Sequence, residues 1–233
     1  MPRHSKPNKG ICYLCNKYYA KQSMTRHLKS CAKRLKGDME VFHIYITAIY
    51  LPMYWLHIEM PVTSTLRDLD KFIRDIWVEC CDHLSEFVIE GVRYMPGYAL
   101  RHIDWTLWGF ERPLEMEKAR LSDVLDVGLT FDYTYDFGSS TNLRLKVVDR
   151  RFTEPFEKVR ILARNEPPKY SCNKCGKEAK WICQLCLERG KGYLCDECAR
   201  RHKHGEEFLL PLVNSPRTGV CGYEGSEVYS NYI

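Results

Sequence analysis

The sequence has no apolar run approaching the roughly 20 residues that a membrane span takes, so a membrane-embedded protein is not expected. Its first ten residues, MPRHSKPNKG, lack the apolar stretch of a secretion signal, and a cytoplasmic location is the expectation. There is no phosphate-cradling glycine loop and no hydrolase nucleophile motif, which removes the commonest nucleotide-hydrolysing and acyl-transfer classes. No internal repeat stands out. Residues 1–37 contain no Asp or Glu at all, yet they hold ten Lys and Arg: Arg3, Lys6, Lys9, Lys17, Lys21, Arg26, Lys29, Lys33, Arg34 and Lys36. The rest of the chain keeps 25 of the 35 basic residues against all 30 acidic ones. A positive arm on an acidic body points to a polyanion, usually nucleic acid.

What is there begins with size and sulfur. At 233 residues and 45% hydrophobic, the chain can bury a real core with smaller appendages. It has twelve cysteines. Eight fall in CxxC pairs with histidines close behind, and in a reducing compartment that pattern reads as metal ligation rather than disulfides. Composition divides the chain into a basic finger (1–37), an α+β domain (38–151), a linker stiffened by Pro167-Pro168 (152–170), a double zinc module (171–204) and a tail (205–233).

In the middle region, Val41–Tyr50 and Met53–Met60 alternate as paired strands turning at Leu51-Pro52. Thr63, Ser64 or Thr65 can cap the helix that follows, whose apolar face is Leu66, Leu69, Phe72, Ile73, Ile76, Trp77 and Cys80. Glu90-Gly91 marks a hairpin, Leu121–Leu125 a helical turn, and Leu129–Phe137 and Asn142–Arg150 two half-buried strands. One main helix against an antiparallel or mixed sheet gives a β-grasp-like α+β domain between zinc-binding modules.

Three metal sites are expected. Cys12-x2-Cys15-x11-His27-x3-Cys31 offers two thiolates from one turn and an i, i+4 His/Cys pair from one helical face, a tetrahedral zinc set. Tyr19 and Met24 fall where so small a unit needs its core, and the metal has to supply its stability. The eight donors Cys172, Cys175, Cys183, Cys186, Cys195, Cys198, His202 and His204 suit two zinc ions. The interleaved pairing is preferred: Cys172, Cys175, Cys195 and Cys198 in one site, and Cys183, Cys186, His202 and His204 in the other. Cys221 is the alternative to His204. Lys21, Arg26, Lys29, Lys33 and Arg34 lie on or beside the finger helix and are the candidate phosphate contacts.

The finger resembles a single ββα zinc finger with a terminal Cys in place of the second His. One such finger spans only about three base pairs, so backbone-led contact with DNA or structured RNA is expected over sequence reading. The C-terminal pattern resembles the cross-brace fingers of the HIT, MYND and B-box type, which implies protein docking or bracing. The ordered segments Trp55-Leu56-His57-Ile58, Thr65–Leu69, His83-Leu84-Ser85-Glu86-Phe87, Leu121–Leu125 and Tyr135-Asp136-Phe137-Gly138 are similar to the plasmid pRiA4b ORF-3-like family over about residues 40–150. The tail from Leu209 to Tyr223 extends the likeness. That resemblance implies a fold and a link to mobile elements. The residues that often follow the Tyr-Asp-Phe-Gly turn in members, an acidic residue, Trp and His, are replaced here by Ser139, Ser140, Thr141 and Asn142.

No catalytic residues are assigned. His57, His83 and Asp136 are candidates to approach one another, though structural histidines are the simpler account. Cys80 and Cys81 are candidates for a redox or nucleophilic site, but with no CxxC spacing or activating base in view a buried thiol at the helix end is the simpler account. Tyr94, Tyr98, Trp105, Trp108 and Phe110 form an aromatic loop suited to packing or to base stacking. The expectation is a non-enzymatic zinc protein that associates with nucleic acid through its finger. A protein–protein adaptor and a mobile-element enzyme acting on nucleic acid are the alternatives.

Overall fold

The computed structural model describes residues 8–101, 111–187 and 189–232. A short hairpin, β1 (Lys9–Cys12) and β2 (Lys17–Ala20), runs directly into α1 (Lys21–Cys31). The long strands β3 (Met39–Ala48) and β4 (Trp55–Pro61) follow, then α2 (Leu66–Ile73), the hairpin β5 (Ser85–Ile89) and β6 (Val92–Met95), and the single turn α3 (Gly97–Leu100). Next come β7 (Leu114–Glu115), α4 (Leu121–Val124), β8 (Thr130–Tyr135), β9 (Thr141–Thr153) and β10 (Arg160–Asn165). These ten strands make one sheet in the order β2-β1-β10-β4-β3-β9-β8-β5-β6-β7, with only β6 and β7 parallel. The C-terminal part adds β11 (Trp181–Cys183), α5 (Gln184–Leu187), β12 (Tyr193–Leu194), α6 (Asp196–Arg200) and β13 (Leu209–Pro211), the three strands forming a small separate sheet. The class is α+β with few helices, and the sheet is larger than a β-grasp.

Period-two alternation decides which side of the sheet each residue faces. Phe42, Ile44, Ile46, Leu56, Ile58, Leu143, Leu145 and Val147 share one buried face with the apolar stripe of α2. Thr65 caps α2: its side chain accepts the Asp68 N–H, while the Asp68 carboxylate accepts the Thr65 N–H at 2.8 Å. Of the three capping candidates, Thr65 is the one used. Residues Arg74–Val78 widen the helix into a π turn, the Glu79 N–H reaching back to the Arg74 carbonyl. Such widened turns occur mostly as short insertions at functional positions, and this one delivers the chain to Cys80 and Cys81.

The opposite face of the sheet carries Tyr45, Trp55, His57 and Glu59, and the N-terminal finger lies over it. Met24 and Leu28 of α1 are wholly buried against Trp55, Leu162 and Ala163. β1 pairs with β10 through Gly10↔Asn165, Ile11↔Arg164 and Cys12↔Ala163. The finger is thus continuous with the sheet. The stretch expected to be a linker (152–170) supplies the end of β9 and all of β10, so hydrogen-bonded strand replaces the stiff connector that its prolines suggested.

Beneath the finger is a buried polar layer. His43 Nε2 and His57 Nδ1 stand 2.9 Å apart. Burial pushes His43 down to about 3 and His57 well below its ordinary value, so both rings are neutral. Glu59, also buried, pairs with Arg151 and lies 3.6 Å from Arg160. Arg151 additionally donates to the Ala32 carbonyl at the end of α1.

The tail packs on the body through polar contacts. The Ser215 hydroxyl donates to the Trp77 carbonyl at 2.6 Å, and Arg164 donates to the carbonyls of Asn214 and Tyr232. Arg217, 0% exposed, donates to Asp136 at 2.7 Å, to the Ser139 carbonyl at 2.9 Å and to Thr141 at 3.1 Å.

Candidate metal centres

In the finger, Cys12 closes β1, and the turn that follows brings the Cys15 and Asn16 N–H groups back to the Cys12 carbonyl. Asn16 sits at φ +55°, a left-handed position that Asn tolerates better than most residues. His27 and Cys31, four apart on α1, face this turn. The ligand atoms of Cys12, Cys15, His27 and Cys31 all lie within 4.8 Å of one another, and Cys15 Sγ is 3.5 Å from His27 Nε2. A tetrahedral zinc, with bonds of about 2.3 Å to sulfur and about 2.0 Å to nitrogen, sets N···S edges of about 3.5 Å and S···S edges of about 3.8 Å. Tyr19 stacks on His27 at 3.7 Å between ring centroids, fixing the imidazole. Burial pushes the Cys12 thiol up to about 12. A divalent cation is what such crowded thiols need in order to ionise together.

The C-terminal donors separate into the interleaved sets. Cys172, Cys175, Cys195 and Cys198 converge, as do Cys183, Cys186, His202 and His204. Cys175 and Cys195 sulfurs are 3.5 Å apart; Cys183 Sγ is 3.1 Å from His204 Nδ1, and Cys186 Sγ is 3.5 Å from His202 Nε2. Burial opposes ionisation of Cys172, but the backbone N–H groups of Cys195, Lys174 and Cys175 bring it down to about 6. His204, not Cys221, completes the second set. Between the two lies a groove lined by Lys174, Arg189, Lys191, Arg201 and Lys203, with Glu197 the one acidic residue of its lining among the described residues. The module meets the body where Tyr170 stacks on Tyr193 at 4.4 Å and its hydroxyl reaches that of Tyr54 at 3.3 Å.

Cys221 converges instead with Cys80, Cys81 and His83, a fourth set of ligand atoms within 4.8 Å. Sequence reasoning missed it because the partners are 140 positions apart and lack a CxxC; the Cys-Cys-x-His run at the helix end was its one local sign. His57 takes no part in this group and is held against His43, whereas His83 Nε2 does lie 3.6 Å from Asp136. Burial opposes it, but Arg217 and the N–H groups of Ser139 and Gly138 hold the Asp136 carboxyl down at about 2. Trp105, Trp108 and Phe110 of the aromatic loop lie outside the described residues.

The expected phosphate contacts divide. Lys21 is half-buried, its ammonium donating to the Pro52 carbonyl at 2.6 Å and to Thr47 at 3.2 Å. Its charge holds the finger to the β3–β4 turn rather than facing outward. Arg26, Lys29, Lys33 and Arg34 are exposed and join no ion pair among the described residues. Arg26 and Lys29 lie on the side of α1 away from Met24 and Leu28, and Lys33 and Arg34 follow in the single 3-10 turn Ala32–Arg34 beyond its end. Tyr18, 58% exposed, stands on the neighbouring β2.

Comparison with known proteins adds the family. No curated protein matches the chain. A solved structure, the protein of unknown function MM3350 from Methanosarcina mazei Go1, is 23% identical, with 60% of this chain and 77% of that chain covered at a TM-score of 0.46. The family model of the plasmid pRiA4b ORF-3-like proteins matches residues 40–172, from the second residue of β3 through β10 to the first C-terminal cysteine. More than half of the chain lies in that match, and the chain belongs to the plasmid pRiA4b ORF-3-like family.

Proposed function

We propose that the protein is a non-enzymatic zinc protein that associates with nucleic acid through its N-terminal finger. One observation carries this reading: four exposed cations, Arg26 and Lys29 on a metal-organised helix and Lys33 and Arg34 in the turn that ends it, with no acidic residue in the first 37 positions to neutralise them. Cations at fixed positions release condensed counterions when they meet phosphates, and that release drives backbone-led binding. Zinc is the metal favoured by four thiolates, by three thiolates with one imidazole, and by two of each. Closed sets of four protein donors leave no coordination position for a catalytic water.

The C-terminal module has a different role in this reading. Its cationic groove fits an acidic protein segment, and its Tyr170–Tyr193 contact braces it on the body.

The test is fluorescence anisotropy with a labelled DNA duplex and a labelled RNA hairpin. The wild-type, zinc-loaded protein is expected to bind at least one of them. The variant R26A/K29A/K33A/R34A, whose changes are all on the surface, should lose that binding while keeping its zinc content. Equal binding by the two proteins would remove the finger from the interface.

A further inference from the structure

Three chain segments meet at the end of the π turn. Cys80 and Cys81 leave it, His83 begins the run into β5, and Cys221 arrives from the tail. His83 Nε2 is 3.3 Å from Cys221 Sγ, and the sulfurs of Cys81 and Cys221 are 4.0 Å apart. These values sit close to the N···S and S···S edges of about 3.5 and 3.8 Å expected around tetrahedral zinc. The sulfur separation is about twice the roughly 2.05 Å of a disulfide.

We propose that Cys80, Cys81, His83 and Cys221 bind a fourth zinc ion, which clasps the C-terminal tail to the end of the central helix.

The backbone is shaped for this convergence. Asp82 turns at φ +52°, between two donors. Cys221 itself sits at φ +50°, flanked by Gly219 at +81° and Gly222 at +70°. A non-glycine residue in that region is strained and persists where its surroundings hold it there. The neighbouring groups suit a bound thiolate cluster. Arg217 Nε donates to Cys80 Sγ at 3.3 Å, and the Tyr135 hydroxyl accepts the N–H groups of Cys80 and His83 at 3.4 and 3.3 Å. Three thiolates on one Zn2+ carry a net negative charge, and the Arg217 guanidinium beside them opposes it. Asp136, near His83, is itself paired with that guanidinium. Partners that orient and charge-balance ligands in this way are a regular part of metal sites.

The site differs from the other three in exposure. Cys81 and Cys221 are both exposed, and none of its four donors is buried, whereas each of the other sets has at least one buried cysteine. Its ion is therefore the first that a chelator reaches, and its loss frees the tail at Cys221 while the finger and the double module stay loaded. The proposal stands apart from nucleic-acid binding, because none of its ligands lies on the finger.

The experiment counts zinc by plasma mass spectrometry in full-length protein purified with a non-chelating phosphine reductant, alongside alkylation mapping of the native state. Four zinc ions per chain are expected in the wild type and three in C81S/C221S, with Cys80, Cys81 and Cys221 shielded from alkylation in the wild type and the remaining Cys80 open to it in the double variant. Because both substituted residues are exposed, the double variant should remain folded and keep its nucleic-acid binding. Three zinc ions in the wild type, with these three cysteines freely alkylated, would overturn the proposal. Recovery of a Cys81–Cys221 cystine from the native protein would overturn it too.

Discussion

Replacing Arg217 by Met should unlatch the tail, and the structure sets the scale of the effect. The guanidinium is wholly buried and satisfies Asp136, the Ser139 carbonyl, Thr141 and the Cys80 sulfur together. Met fills much of the same volume but leaves the Asp136 carboxylate without its cation in a site where that side chain is only 8% exposed. Removing one partner of a buried pair costs about 3–5 kcal/mol, chiefly through the charge left behind. Against a typical total stability of about 5–15 kcal/mol, and at about 2–4 °C per kcal/mol for a chain of this size, R217M should melt about 6–20 °C below the wild type. D136N/R217M, which removes both charges, should recover most of that loss. Scanning calorimetry on zinc-loaded, reduced protein reads both, and limited proteolysis should find the tail beyond Asn214 cut faster in R217M alone. A melting point for R217M within about 3 °C of the wild type, or no recovery in the double variant, would refute the argument that this pair anchors the tail.

Three further outcomes are expected. His43 and His57 are held neutral by burial, so the unfolded chain binds more protons than the folded one between its ordinary histidine value near 6.5 and His43's value of about 3; stability should fall as pH drops through that window. At pH 5 His43 alone should account for about 2 kcal/mol, and H43Q should show a shallower loss between pH 6.5 and 5 in denaturation with excess zinc. Gly10→Ala places a Cβ 2.2 Å from the Arg164 carbonyl and 2.5 Å from the Trp55 ring; backbone cannot yield there, and a loss of at least about 1–3 kcal/mol is expected, read as a lower melting point. Strong chelation should melt the C-terminal module, whose buried cluster is largely its own cysteines, while the far-ultraviolet signal of strands β3 to β10 persists; loss of all structure together would contradict this division.

How far the sequence spoke depended on whether a feature was local. The Thr65 cap, the Glu90-Gly91 turn at φ +49° and +83°, and the His27/Cys31 pair each depend on residues within a few positions, and spacing exposes them. The interleaved C-terminal donors were legible for the same reason. Distant pairing was not. β1 has four residues and β10 six, the latter between Pro155 and Pro167-Pro168, so composition favours a connector and conceals the strand. Cys221 reads as a spare ligand for the nearest cysteine module until the tail is seen folded back on α2. Lys21 counts as one more cation in a basic run, and only the nearby Pro52 carbonyl shows that it points inward.

The most direct test of nucleic-acid association is the salt dependence of binding. Four phosphate contacts at about −0.9 each predict a slope near −3.6 for log affinity against log salt on duplex DNA. That is a loss of roughly 150-fold between 50 and 200 mM salt. R26A/K29A/K33A/R34A should flatten the line. A wild-type affinity that does not change with salt, or a slope the four substitutions leave untouched, would contradict the account.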